Sequence, residues 1–211
     1  MEREWTCRRG AQAATVEARS RAGRGGEFVA LVAVAVLALF GGQSAMAQQS
    51  LDSRANPWSS YVADAATCPG ADVVGGPVAV QVRSMSCLVN YARAKRGLRK
   101  LGSSPKLSQA ARMKLEQIER CGVFDHAPCG GSPTAVADRV GYPGSFGENL
   151  YIGETTAGSA REALTEWLAS PPHRRNMFSK SWRVRSLYAT HVDALDGFVD
   201  ATVWVAQFGD R

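Results

Sequence analysis

Apolar residues recur at helical spacing in three stretches of the chain. The first runs from Pro77 to Gly97, and its apolar positions lie alternately four and three residues apart. This spacing places one apolar stripe along a helix, and proline and glycine are favoured at its two ends. The second stretch begins at Ser104 and the third at Ser159, and serine is a good N-cap residue. The pattern therefore predicts three amphipathic helices.

Three further segments, 149–152, 183–192 and 198–208, have the character of β-strands. In the last one both alternating sets of side chains are apolar. That pattern is typical of a strand that is covered on both faces. The sequence therefore predicts an α+β fold in which helices lie on both sides of a small sheet, as a three-layer α-β-α sandwich.

The N-terminal region has the features of an export signal. An apolar run of 13 residues, 28–40, follows several arginines and is too short to span a bilayer. Ala45-Met46-Ala47 then supplies small residues at a cleavage site. We therefore predict a signal peptide over 1–47, an N-terminal extension over 48–76 and one domain over 77–211. The alternative is an uncleaved signal anchor, which is the only membrane attachment that we expect.

The charge of the chain is mildly basic and does not call for a nucleic-acid partner. The full chain carries +6, and removal of the six arginines and four glutamates of residues 1–47 leaves +4. A basic cluster over 95–100 falls at a predicted helix C-terminus, where cations suit the helix dipole. Few aromatic residues accompany it, so we interpret it as a solvated helix end rather than a nucleic-acid site.

Four cysteines remain after the predicted cleavage, namely Cys68, Cys87, Cys121 and Cys129. An even number in an exported chain indicates two disulfides, for which three pairings exist. We favour Cys68–Cys87 and Cys121–Cys129 because these pairs close short loops; the alternative is buried free thiols. The chain has no Cys-x-x-Cys pair among the four, which disfavours zinc binding by cysteine.

His126, Glu148 and His173 are the candidate chemical groups of the predicted domain. Each is expected at the end of a helix or strand, where sites are commonly built. Two imidazoles and a carboxylate can bind Zn²⁺ with an open fourth position, or form an acid–base pair near neutral pH. They can equally form a buried polar cluster that only stabilises the fold. The chain lacks the Gly-x-Ser-x-Gly elbow of serine hydrolases and a glycine-rich phosphate loop.

Five motifs in fixed order carry a family resemblance between about Ser84 and Gly209. They are Leu88-Val89-Asn90-x-x-Arg93-x-x-x-Gly97-Leu98-x-x-Leu101, Phe124-Asp125-His126, Gly147-Glu148-Asn149, the segment from Ser170 to Asn176, and Trp204-Val205-Ala206-Gln207-Phe208-Gly209. Together they resemble the bacterial branch of the CAP superfamily, which is also called the SCP or pathogenesis-related-1-like family. The resemblance implies a small antiparallel sheet between helical layers.

The resemblance also implies a cavity that usually carries two histidines and two glutamates. His126, Glu148 and His173 match three of these four, whereas Ser170 stands where relatives have the second glutamate. The further cavity or binding residues are Asn149, Arg174 and Asn176, which we expect to hold loops together by hydrogen bonds. Glu148 is the candidate catalytic base, and His126 and His173 are the candidate zinc ligands.

These features predict a secreted or periplasmic binding module. We expect a monomer that holds a hydrophobic small molecule, a lipid or an extracellular protein in the CAP cavity, because the catalytic set is incomplete. One alternative is a metal-dependent, peptidase-like hydrolase that uses the cluster of His126, Glu148 and His173. The other is a structural envelope protein without binding activity.

Overall fold

The computed structural model describes residues 56–211. The predicted signal peptide and residues 48–55 of the predicted extension lie outside the described residues. The helices are α1 (Val78–Lys95), α2 (Pro105–Cys121), α3 (Ala135–Arg139), α4 (Ala160–Ala169) and α5 (Pro171–Met177), and the strands are β1 (Gly102–Ser103), β2 (Phe146–Glu154), β3 (Val184–Leu195) and β4 (Phe198–Gly209). Within the described part of the chain, no helix is long and apolar enough to cross a membrane.

The helix ends follow the local sequence signals. The hydroxyl oxygen of Ser104 accepts a hydrogen bond from the Leu107 amide at 3.4 Å, and that of Ser159 accepts one from Glu162 at 3.2 Å. Each bond satisfies an N–H group that has no partner within the first turn of a helix. At the other end of α2, Gly122 adopts a left-handed conformation with φ of 65°, which glycine adopts without steric cost. The three predicted helices therefore form at the expected places.

The sheet has four strands in the order β1-β3-β4-β2. β4 pairs antiparallel with both β2 and β3, whereas β1 pairs parallel with β3. The three long strands are antiparallel, as expected, and the two-residue strand β1 makes the sheet mixed. The cause is local: after α1 the chain runs along the edge of β3 for two residues, and the Gly102 amide donates to the Arg183 carbonyl at 3.0 Å. Two residues are too few to show a strand pattern in the sequence.

The central position of β4 and the three-layer arrangement are confirmed. Trp204, Ala206 and Phe208 lie in one buried cluster with residues of α1 and α4. Val203 and Val205 point to the opposite face and lie in a second cluster with residues of α2. Alternate residues of one strand therefore serve two cores, as expected for a strand whose two sets of side chains are both apolar.

Residues 56–76 pack into the first of these two cores. Ala63, Cys68 and Ala71 are each at most 1% exposed. The Ala71 carbonyl also accepts a hydrogen bond from the Arg161 amide of α4 at 2.9 Å. Residues 56–211 thus form one compact unit, which includes the described part of the predicted extension.

Both predicted disulfides are present, namely Cys68–Cys87 and Cys121–Cys129. Their cysteines lie 19 and 8 positions apart in the sequence. Cys68–Cys87 fixes the segment before α1 to the middle of that helix. Cys121–Cys129 fixes the end of α2 to the loop that follows it.

We expect the Cys68→Ala/Cys87→Ala variant to unfold more easily than the native protein. Loss of a loop constraint of about 20 residues corresponds to about 3 kcal/mol of unfolding free energy. The segment before α1 should also become sensitive to protease, because only packing then holds it. Urea denaturation and limited proteolysis with mass spectrometry measure both effects. Native-like protease resistance around residues 56–76 would show that the disulfide does not hold this segment.

Candidate functional site

Glu148 lies near the start of β2, directly opposite Gln207 of the central strand β4. Its side chain is 3% exposed, yet both carboxylate oxygens have partners. Oε1 accepts a hydrogen bond from Nδ1 of His126 at 2.9 Å and lies 3.5 Å from Nζ of Lys114. Oε2 accepts one from Nε2 of Gln207 at 2.9 Å. Glu148 is therefore the centre of a buried polar cluster that joins α2, the following loop and the sheet.

Lys114, like Gln207, is a member of this cluster that the sequence did not predict as a site residue. It lies in α2 and is 1% exposed. Its ammonium group donates to the carbonyl of His126 and to that of Pro133 at 3.3 Å, and it faces Glu148. A buried charge is stable only when it is paired and hydrogen-bonded, and Lys114 meets both conditions. The available signal was its position three residues after Ala111 and four before Ile118, which places it on the apolar stripe of α2.

His126 lies at the boundary between this buried cluster and solvent. Its side chain is 44% exposed, and its Nδ1 contacts Glu148. The loop that carries it begins at Gly122 and is tied to α2 twice, by the Cys121–Cys129 disulfide and by the Lys114 ammonium group. The disulfide and the ammonium group thus hold the loop, and the contact with Glu148 orients the imidazole.

His173 lies in the short helix α5, which is hydrogen-bonded to β2 through Asn149. Burial lowers the pKa of His173, and charge repulsion from His126 lowers it further. The backbone of His173 is also attached to β2, because Nδ2 of Asn149 donates to its carbonyl at 3.1 Å. The structure thus places His126 in contact with Glu148, and His173 close enough to His126 for their charges to interact.

Asn149, Asn176 and Arg174 form the hydrogen bonds that hold this region together. Nδ2 of Asn176 donates to Oδ1 of Asn149 at 2.9 Å, which joins α5 to β2. Nη1 of Arg174 donates to the carbonyl of Ala169 at 3.1 Å, at the end of α4. Its guanidinium group also lies 4.3 Å from the centre of the Trp58 ring. Their predicted role in joining loops therefore agrees with the contacts that the structure shows.

Each residue of the Gly147-Glu148-Asn149 motif has its own structural role. A Cβ atom at Gly147 would collide with Oδ1 of Asn176, so that α5 can approach β2 only if residue 147 has no side chain. Glu148 binds Lys114, His126 and Gln207, and Asn149 binds α5. The motif thus describes the packing of one strand against α2 and α5.

The residues present do not fit the expected three-ligand zinc site. Among residues 56–211, no group of three or more His, Cys, Asp or Glu side chains is placed to hold a metal ion. The reason is visible at Glu148, where the Lys114 ammonium group already supplies a positive charge beside the carboxylate. A metal ion beside Oε1 would repel this ammonium group.

The sequence profile of CAP, described as the Cysteine-rich secretory protein family, matches residues 88–184. The matched segment contains the three motifs that carry His126, Glu148 and His173. The resemblance to the CAP superfamily is therefore confirmed over residues 88–184, which form a CAP domain. Secretion is consistent with this description and with the two disulfides, which persist in oxidising compartments. No curated protein sequence matches the chain significantly.

Solved structures are similar to this chain at low sequence identity, and one of them supports the same fold. The CAP domain is similar to an extracellular protein containing an SCP domain from Bacillus anthracis str. Ames, with a TM-score of 0.52 and 19% identity over 66% of this chain and 46% of that one. This chain thus spans less than half of that protein. An outer surface protein of Borrelia burgdorferi has a TM-score of 0.49 and 18% identity, over 60% of this chain and 90% of that one. A cysteine-rich secretory protein of Staphylococcus aureus subsp. aureus Mu50 has a TM-score of 0.47 and 15% identity, over 65% of this chain and 41% of that one.

We expect Lys114→Met to destabilise the CAP domain strongly. The substitution leaves the Glu148 carboxylate buried without its cation, which typically costs about 3–5 kcal/mol of unfolding free energy. Adding Glu148→Gln should recover part of this loss, because the uncompensated charge is removed. Urea denaturation of the two variants at pH 7 measures both effects.

Arg112→Met is the matched control, because Arg112 lies in the same helix but its ion pair with Glu116 is exposed. Exposed pairs of this kind contribute about 0–1 kcal/mol. If Lys114→Met cost no more than Arg112→Met, the buried pair would not be what joins α2 to the sheet.

We expect an NMR titration to find the pKa of His173 below the ordinary histidine value of about 6.5. In the His126→Gln variant it should rise but stay below that value, because burial is the larger cause and remains. An unchanged pKa of His173 in this variant would show that the two imidazoles do not interact.

The same shift predicts a loss of stability in acid. Below about pH 6.5 the unfolded chain binds a proton at His173 that the folded chain takes up only at lower pH. The unfolding free energy therefore falls as the pH decreases from about 6.5 towards the lowered pKa. His173→Gln should lack this part of the decrease, and urea denaturation at pH 7.5 and 5.5 compares the two proteins.

Proposed function

We propose that this CAP domain is an exported, non-catalytic binding module, and that it recognises an extracellular protein through the loop 122–134 and the adjacent His173 turn. The observation that carries the proposal is the set of contacts made by the Glu148 carboxylate. Both of its oxygens are bound by groups of the protein itself, so the carboxylate serves as a fixed anchor for the His126 loop. The proposal retains the binding role inferred from the incomplete family cavity and assigns it to the surface above the cluster.

A hydrolase mechanism is poorly supported by the same contacts. A general base must be within hydrogen-bond reach of the proton that it removes. Glu148 is 3% exposed and is held by Lys114, His126 and Gln207, which leaves no direct approach for a substrate. The metal-dependent alternative further requires a three-ligand set, which residues 56–211 do not form.

The loop 122–134 has the properties of a preorganised recognition surface. Its backbone is held by the Cys121–Cys129 disulfide and by the Lys114 ammonium group, which reaches the carbonyls of His126 and Pro133. Binding to a loop that is already ordered costs less conformational entropy. The loop exposes Asp125 and part of His126, and it also exposes Val123 at 37%. A mixture of polar and apolar groups on an open loop suits a protein partner better than a lipid chain, which needs an enclosed apolar cavity.

We expect a photo-crosslinking amino acid at position 125 to trap an extracellular protein when the variant is exported by its native host. The same amino acid at position 199 is the control, because Val199 is 59% exposed on the β3–β4 hairpin. One recurrent protein adduct at position 125 that is absent at position 199 supports the proposal. Lipid adducts alone, or equal adducts at both positions, would contradict it.

Glu148→Gln separates the binding module from the hydrolase. Under the present proposal, neither the native protein nor this variant hydrolyses peptides or esters. Turnover by the native protein that is lost in a folded Glu148→Gln variant would establish the hydrolase instead.

A further inference from the structure

Arg93 of α1 is a second buried cation, and it lies outside the cluster around Glu148. It is 0% exposed. Its Nε donates to the carbonyl of Arg99 at 3.0 Å, and its Nη1 donates to those of Met177 at 2.7 Å and Ser179 at 3.1 Å. The guanidinium group therefore holds the turn after α1 against the end of α5.

The charge of Arg93 is not neutralised by the protein that surrounds it. A guanidinium group has five N–H donors. The three that Arg93 uses all bind neutral carbonyls, whereas Nη2 has no hydrogen-bond partner among residues 56–211. Within residues 56–211, Arg93 forms no salt bridge with a carboxylate. Burial lowers the pKa of Arg93 to about 10, and repulsion from Arg183 contributes to this decrease.

Arg93 also lines an open pocket of about 380 Å³ whose charged residues are all cationic. The other lining residues are Gly97, Leu98, Arg99, Lys180 and Arg183. No carboxylate lines the pocket, and in the described part of the chain none of its four cations takes part in a salt bridge. Like charges that converge beside a buried guanidinium group repel one another, and a bound anion would remove this repulsion.

The pocket is built by hydrogen bonds rather than by a chance meeting of flexible side chains. Nη1 of Arg183 donates to the carbonyls of Lys180, Ser181 and Trp182 at 2.9–3.3 Å, which fixes the turn before β3. Arg93 fixes the opposite wall, as described above. The neighbouring Lys95 and Arg96 differ from these residues because they lie over aromatic rings, namely those of Tyr91 and of Trp58 and Phe178. The basic cluster after α1 is thus divided between stacked cations and cations that face the pocket.

We propose that the pocket lined by Arg93, Arg99, Lys180 and Arg183 is a binding site for a phosphate or phosphate-monoester group. Guanidinium groups match the geometry of phosphate oxygens, and hydrogen bonds between two charged groups are the strong ones. The group can be free phosphate or the headgroup of a phospholipid. The site is independent of the loop 122–134, so failure of one proposal leaves the other intact.

The test uses titration of the purified protein with sodium phosphate at constant ionic strength, followed by amide NMR shifts. We expect saturable shifts around residues 97–99 and 180–183. Arg99→Gln/Lys180→Gln should weaken binding about tenfold or more, because two charge-assisted contacts are lost. These two residues are exposed, and the described structure shows no side-chain hydrogen bond for either, so the variant should fold.

Lys95→Gln/Arg112→Gln is the matched control, because it removes the same net charge outside the pocket. It should change phosphate affinity by less than about twofold, since exposed charges at a distance are screened. Equal weakening in the two double variants would overturn the assignment, as would shifts in the native protein that do not saturate.

Vesicles distinguish the two sources of the phosphate group. Binding to phosphatidylcholine vesicles that contain phosphatidic acid, lost in Arg99→Gln/Lys180→Gln but kept in the control variant, assigns the site to a lipid headgroup. Binding of inorganic phosphate without vesicle binding assigns it to a soluble ligand. Vesicle binding that falls equally in both variants reflects general charge attraction and would overturn the proposal for the lipid.

Discussion

The buried ion pair between Lys114 and Glu148 is the interaction on which the functional region depends. It lies between a helix of one outer layer and a strand of the sheet, and the same ammonium group also holds the loop that carries His126. Removing both charges from water is costly, and only the additional hydrogen bonds from His126 and Gln207 make the arrangement stable. The position of each group therefore depends on the others, and the same contacts hold the His126 loop against α2 and the sheet.

Lys114 and Arg93, the two fully buried cations among residues 56–211, serve different purposes. Lys114 has a carboxylate partner and is enclosed by the fold, so its charge is neutralised within the protein. Arg93 has only carbonyl partners and lies beside further cations and an open pocket. Both connect separate segments of the backbone, yet only Arg93 leaves positive charge available at the surface. A buried charge thus points to a ligand mainly when no group of the protein neutralises it.

The sequence was sufficient for the features that depend on neighbouring residues. Ser104 and Ser159 begin helices through bonds to amides three residues away, and each of the four cysteines among residues 56–211 pairs with one at most 19 positions away. It was insufficient where the partner is distant. Lys114 on an apolar stripe would ordinarily extend its charged end to solvent, and only the fold brings Glu148 to it. The fit of a metal ion beside Glu148 could not be judged from the sequence for the same reason, because the ammonium group beside the carboxylate comes from a residue distant in sequence.

The position of β4 has a consequence for how the protein matures. This strand is the last element of the described chain, yet it lies between β2 and β3. For a chain that crosses a membrane from its N-terminus, the sheet cannot be completed until this final segment has emerged. The two disulfides join residues only 19 and 8 positions apart and can close earlier. Oxidation can therefore constrain α1 and the His126 loop before the central strand arrives, whereas β2 has its pairing partner only when β4 is present.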